Sequence, residues 1–292
     1  MYPPIEPYAQ GLLDVGDGQR IHWETSGNPG GLPAVFFHGG PGSGAGPAWR
    51  RYFNPDAYRS VLFDQRGCGR SVPYAGEPAV DLSTNTTSHL LADVELLRES
   101  LGVDRWLVLG GSWGSTLGLA YAERFPERVA AMVLFSVVTT THAEVLAATR
   151  DLPHPVDDYR QRLLDPNPAV HQRAAVEWCE WEQELAGLRD PRYDDARFRL
   201  AFSRLVTHYW HHAAFLEDGS LLRDAGRLAG IPGVLIHGSR DPGAPLDIPR
   251  RVHAAWPGSK LEVLDAGHGT YEAVMQQAVV DALDRYATGS LG

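Results

Sequence analysis

Short apolar runs set off by longer mixed segments dominate the pattern along this chain. Ala34-Val35-Phe36-Phe37, Ser60-Val61-Leu62-Phe63, Trp106-Leu107-Val108-Leu109, Ala131-Met132-Val133-Leu134-Phe135 and Gly233-Val234-Leu235-Ile236-His237-Gly238 have the length and near-continuous hydrophobicity of buried strands. Leu261-Glu262-Val263-Leu264 reads as one more. Between the second and third runs the period lengthens. Leu90, Leu91, Val94, Leu97 and Leu101 fall on one helical face, with Thr84-Asn85 as a cap and Gly102 as a stop. Near the start, Gly11 to Glu24 reads as a hairpin turning at Asp17-Gly18. Strands alternating with helices predict an α/β fold on a mostly parallel central sheet.

That rhythm stops between Val137 and Arg223. The stretch is rich in helix formers and in aromatics (Trp178, Trp181, Tyr193, Phe198, Phe202, Tyr209, Trp210 and Phe215), without strand-type alternation. The expected division is a core of residues 1–136 and 224–292 with an inserted helical cap, residues 137–223. A cap placed there would roof the ends of the sheet strands, exclude water and build a pocket. Its aromatics are expected mainly in the cap's own core.

Composition narrows the class. At 292 residues, with 43% hydrophobic and 21% charged residues, the chain has globular values. A formal charge of −10 argues against nucleic acid or anionic membranes as partners. No apolar run approaches the ~18 residues of a membrane span. Two cysteines, Cys68 and Cys179, make no disulfide framework, and Met1 to Glu6 lacks a signal-peptide pattern. A soluble cytoplasmic protein is expected. The sequence sets no oligomeric state.

The hexapeptide Gly110-Gly111-Ser112-Trp113-Gly114-Ser115 follows an apolar run and precedes a helix-like stretch. In that context G-x-S-x-G reads as a nucleophile elbow, a sharp strand-to-helix turn presenting a serine hydroxyl. The competing reading is a glycine-rich turn with a chance serine. An elbow serine needs a base, and the base a carboxylate, in the chain order Ser, Asp or Glu, His. Asp241 lies just past the Gly233–Gly238 run, and His268 follows the Leu261–Leu264 run. Each stands in a loop after a strand, where parallel sheets put their functional groups. Ser112, Asp241 and His268 are therefore the expected triad. Upstream, Ala34 to Phe37 runs into His38-Gly39-Gly40-Pro41-Gly42, a loop suited to one oxyanion-hole N–H, with Trp113 supplying the other. Gly40 is the expected donor, Gly39 its rival, and His38 a brace.

The motifs HGGPG (His38 to Gly42), DQRGCGRS (Asp64 to Ser71) and GGSWGS (Gly110 to Ser115) resemble the signatures of the prolyl aminopeptidase, or proline iminopeptidase, family. The resemblance implies an α/β-hydrolase fold; the triad's reaction needs no cofactor, and no metal is expected. Its substrate class would be a small peptide. Trp178-Cys179-Glu180-Trp181-Glu182 is similar to a family element whose glutamate binds the substrate's free amino end, a role that would fall on Glu182. A solvated helical glutamate is the alternative. The chain departs from the family at three places. Val206 stands where a second cap glutamate is usual, Thr139-Thr140-Thr141 where an arginine is usual, and Ala244 where many members have cysteine.

His208 and His212 have i, i+4 spacing, with His211 beside them, but no further ligand motif accompanies them; a cap role is expected. Asp64-Gln65-Arg66 reads as a bracing network. The expectation is a serine hydrolase, first an aminopeptidase releasing proline or another small or apolar residue. The alternative is an esterase, lactonase or amidase on a small acyl substrate, and the remote one a non-catalytic binding protein.

Overall fold

In the computed structural model, which describes residues 1–187 and 189–289, the expected strands pair into one eight-stranded sheet. The elements in chain order are β1 (Ala9–Asp14), β2 (Arg20–Gly27), β3 (Leu32–Phe37), β4 (Tyr58–Phe63), α1 (Thr87–Ser100), β5 (Trp106–Gly111), α2 (Trp113–Arg124) and β6 (Val129–Phe135). Then come α3 (His142–Ala148), α4 (Val156–Leu163), α5 (Pro168–Ala186), α6 (Ala196–His211), α7 (Ser220–Arg223), β7 (Gly233–Gly238), α8 (Asp247–Ala255), β8 (Ser259–Leu264) and α9 (Ala273–Ala287). The strand order is β1-β2-β4-β3-β5-β6-β7-β8; β1 and β2 are antiparallel additions and the rest are parallel.

Every residue of β5 and β7 is buried, which explains why these strands read as continuous apolar runs. One face of the sheet packs Val35, Phe37, Val108, Met132 and Leu235 against α1, α2 and α8; the other packs Phe36, Leu109, Val133 and Ile236 against α9. The β1–β2 turn has positive φ at Gly16, Asp17 and Gly18, as a tight hairpin requires. The α1 cap differs from the sequence expectation. Thr86 rather than Thr84 or Asn85 caps the helix, its Oγ1 accepting from the His89 amide. Asn85 is instead buried and turned away, its side-chain amide donating to the Arg66 carbonyl.

Among the described residues no strand lies between β6 and β7. Helix α5 shows why the stretch is helical: Asn167 caps it, Pro168 opens it, and Gly187 in the left-handed region closes it. His171, Ala174, Ala175 and Trp178 form its buried stripe, and Glu182 continues that stripe one turn further. The stripe packs on α4 and α6 through Tyr159, Leu200, Phe202 and Val206. Leu221 of α7 packs instead with the cluster beneath the sheet. Cys68 and Cys179 are buried free thiols. Among the described residues no helix is long and apolar enough to cross a membrane.

Candidate active site

The sheet order reverses between β3 and β5, because β4 lies on one side of β3 and β5 on the other. Parallel sheets open a crevice at such a point, beyond the carboxyl ends of the strands. His38 to Gly40 follow β3, Ser112 follows β5, Asp241 follows β7 and His268 follows β8. Ser112 and His268, 156 apart in sequence, therefore meet at one edge.

Ser112 has φ 53° and ψ −123°, a conformation that costs a non-glycine residue about 1–3 kcal/mol. The flanking glycines make the turn possible by close approach. A Cβ on Gly110 would lie 2.4 Å from the Gly114 carbonyl oxygen, and one on Gly114 would lie 2.0 Å from that of Phe37. Ser112 Oγ–H donates to His268 Nε2 over 3.0 Å, and His268 Nδ1–H donates to Asp241 Oδ2 over 2.7 Å. Asp241 Oδ1 accepts from the Gly243 and Ala244 amides, both at 3.0 Å. Burial pushes the Asp241 carboxyl up, yet His268 and the Ala244 amide outweigh it and hold the group below its ordinary value. Burial likewise lowers His268, but Asp241 and then Glu182 overcome this and leave the imidazole raised.

The two expected oxyanion donors flank this serine. Trp113 opens α2, so its amide has no intrahelical acceptor and lies at the positive end of the helix. Gly40 lines the same cavities as Ser112. His38 explains how its loop is held. His38 Nε2 accepts from the Gln65 amide (3.0 Å), so the proton sits on Nδ1 and is donated to the Gly39 carbonyl (2.9 Å). In a planar trans peptide this carbonyl and the Gly40 N–H point in opposite directions. Fixing one fixes the other. Gln65 ties the arrangement together, its side-chain amide donating to the His38 carbonyl (3.1 Å) while its Oε1 accepts from the Trp113 indole (3.0 Å).

Glu182 reaches the same place from the cap. It is partly buried, and it lines both cavities that open on Ser112 and His268. Burial pushes its carboxyl up to about 7, against the opposing pull of His268. Its neighbour Glu180 points to solvent. The three departures from the family also have definite places. Val206 is buried among the cap aromatics, and Ala244 is buried with its carbonyl accepting from His237 Nε2 at 2.7 Å. Thr139 and Thr140 donate their amides to Glu144 Oε2, at 2.9 and 2.8 Å.

Sequence reasoning missed three residues here. Glu144 lines the smaller cavity beside Glu182, and its only signal was a capping-box spacing from Thr141, whose Oγ1 accepts the Glu144 amide. His237 is wholly buried, its Nδ1 accepting from Val137 N–H at 3.0 Å, so it joins the ends of β6 and β7. Ser136, with φ 47°, accepts the Gly269 amide and so supports the His268 loop. Neither carried a readable signal, because each acts through contacts across the sheet. The cap histidines lie elsewhere; His208 Nε2 bonds the Asn85 carbonyl and His211 Nδ1 bonds Asp157.

A parallel sheet with an elbow serine, a histidine and an aspartate at its carboxyl edge defines the α/β-hydrolase class, and residues 33–272 match the family described as alpha/beta hydrolase fold. The chain is 48% identical to a probable proline iminopeptidase of Streptomyces coelicolor, covering 99% of this chain and 98% of that one. It is 39% identical to a proline iminopeptidase of Xylella fastidiosa, covering 98% and 99%. Within the class, the chain belongs to the proline iminopeptidase family. Among solved structures, a proline iminopeptidase of Mycobacterium smegmatis shares the fold with a TM-score of 0.69 at 19% identity, covering 97% of this chain and all of that one.

Proposed function

We propose that this chain is a serine aminopeptidase that releases one N-terminal residue, proline or another small apolar one, from short peptides. The observation that carries this reading is the hydrogen-bonded series Ser112–His268–Asp241 opening on a cavity that also holds Glu182. Ser112 Oγ attacks the carbonyl carbon of the first residue while His268 Nε2 takes its proton. Asp241 keeps the other imidazole proton on Nδ1 and stabilises the imidazolium. The N–H groups of Gly40 and Trp113 hold the oxyanion that forms. His268 then protonates the departing nitrogen, and water, activated by the same base, releases the acyl group. Glu182 grips the substrate ammonium, a charge-assisted contact. Helices α3 to α6 act as the cap over this step, within the division of a 1–136 and 224–292 core and a 137–223 cap. The two free thiols accord with a cytoplasmic place of work.

The test is Glu182→Gln, which keeps shape and removes charge. kcat/KM on aminoacyl arylamides is expected to fall about thirty-fold, roughly 2 kcal/mol, while simple acyl esters lose little. Equal losses on both would make Glu182 structural. No loss on either would favour the second reading, hydrolysis of a small acyl ester, lactone or amide. That reading draws its support from Val206, an apolar residue buried where an amine-binding glutamate is usual.

The pH profile carries a second expectation. His268 works as a base only when neutral, and its raised pKa puts its loss of a proton above its ordinary ~6.5. Glu182, at about 7, holds an ammonium only when ionised. Both requirements make kcat/KM rise with pH through neutrality on aminoacyl substrates. The rise ends where the substrate's own amine, near pH ~8, loses its proton. An acyl ester needs only His268, so its profile should rise once and stay up. Identical profiles for the two substrates, with chemistry rate-limiting, would count against Glu182 as the amine site.

A further inference from the structure

Two cavities meet at Ser112, and they differ in size and openness. The smaller, about 100 Å³, runs under the cap between Val138, Val145, Leu185 and Trp210, and none of its lining residues is exposed. The larger, about 440 Å³, runs from Ser112 past the oxyanion loop to a rim where Pro47, Ala48, Arg192 and Tyr271 are exposed. An enzyme that removes a single residue must enclose that residue and leave the remainder a way out. On the proposed aminopeptidase reading, the closed cavity takes the first residue and the open one the departing peptide.

The open cavity has a specific chemistry. Its floor is Trp49, half-buried and stacked with Phe36 (centroids 4.1 Å apart), Tyr52 (4.8 Å) and Phe135 (5.7 Å). These partners fix the plane of the indole while leaving part of it facing the cavity. The cap contributes Tyr193 and Phe202 to the lining of the same cavity, themselves 5.4 Å apart. Apart from Glu182, the charged side chains along this wall are Asp190 and Arg192. They pair bidentately, with Nη2–Oδ2 at 2.6 Å and Nε–Oδ1 at 3.1 Å, so neither offers an unmatched charge to a ligand. A cavity lined by several aromatic rings from both the body and the cap suits a flat apolar group, through offset or edge-to-face contact as well as area.

We propose that this larger cavity is a leaving-group subsite that favours an aromatic or bulky apolar second residue, with Trp49 setting the preference. The leaving group is gone once the acyl-enzyme has formed, so Trp49 acts on acylation and not on the deacylation that follows.

The experiment compares prolyl-glycine amide, prolyl-leucine amide and prolyl-phenylalanine amide on the wild type, Trp49→Ala and Trp49→Phe. In the wild type kcat/KM should be highest for the phenylalanine substrate. In Trp49→Ala the phenylalanine-to-glycine ratio should fall about tenfold, the size of a lost aromatic contact with its buried area. Trp49→Phe should restore most of it. A ratio is insensitive to a general loss of folded enzyme, because both substrates see the same population. Deacylation of the shared prolyl-enzyme, read from burst kinetics, should not follow the ratio. A flat wild-type series, or an unchanged ratio in Trp49→Ala, overturns the proposal. If neither this prolyl series nor the matching alanyl series is cleaved, it is the aminopeptidase reading that fails. The same variants are then compared on benzyl and ethyl acetate, where a benzyl preference that Trp49→Ala abolishes supports the subsite and its absence overturns it.

Discussion

Replacing Ser112 by alanine is expected to lower turnover by about a million-fold while the fold and its melting temperature stay intact. The size follows from the unit the residue belongs to. Without Oγ there is no atom for His268 Nε2 to activate at 3.0 Å, so the histidine and the aspartate lose their task together. What remains is the binding of substrate and the oxyanion donors, which act on water alone. The backbone gives a second reason to expect a folded variant. The strain at φ 53° belongs to the turn, and alanine can adopt it no worse than serine. A fluorophosphonate probe should label Ser112 in the wild type and nothing in the variant. Label on another residue, or substantial turnover in the alanine form, would remove the serine mechanism.

Asp241→Asn is expected to cost about ten-thousand-fold in kcat, and here the structure dictates the reason. The Gly243 and Ala244 amides both donate to Oδ1. An asparagine that keeps those two bonds must place its oxygen there, and so must turn its NH₂ toward His268. The ring then has to accept at Nδ1, which moves its proton to Nε2, the nitrogen that faces Ser112. A donor now stands where the base should be. The imidazole also loses the charge that chiefly raised it, so any residual activity should persist to lower pH than in the wild type. NMR of the imidazole nitrogens, with pH–rate data, checks both parts. A variant that keeps the proton on Nδ1, or keeps most of its activity, would show that Asp241 does not set the tautomer. The stability effect has its own sign. The folded-state pKa of Asp241 is depressed, so its contribution is present above the unfolded value near ~3.9 and lost as the pH falls through the folded one.

The sequence by itself determined those parts of the protein whose physics is local. Buried parallel strands must be apolar along their whole length, so β3, β5, β6 and β7 were legible. The elbow was legible because only glycine fits within 2.0 to 2.4 Å of a carbonyl oxygen on either side of Ser112. Glycine before and after a serine, after an apolar run, is a signal that sterics leave in the chain. Chain order and strand ends then named Asp241 and His268. Tertiary structure decided what depends on contacts between distant segments. The same helix carries Glu180 and Glu182, and only the packing of α5 on α4 and α6 sends one to solvent and the other to the serine. The bond from the Gln65 amide to His38 Nε2, the double grip of the Gln65 side chain, and the supports from His237 and Ser136 cross between elements. No spacing along the chain encodes them, because a hydrogen bond between two loops is fixed by how the sheet brings their ends together. The two cavities were equally invisible for the same reason. A cavity is the space left when separate elements pack, and its walls, from Trp49 on the body to Tyr193 on the cap, become neighbours only after the chain has folded.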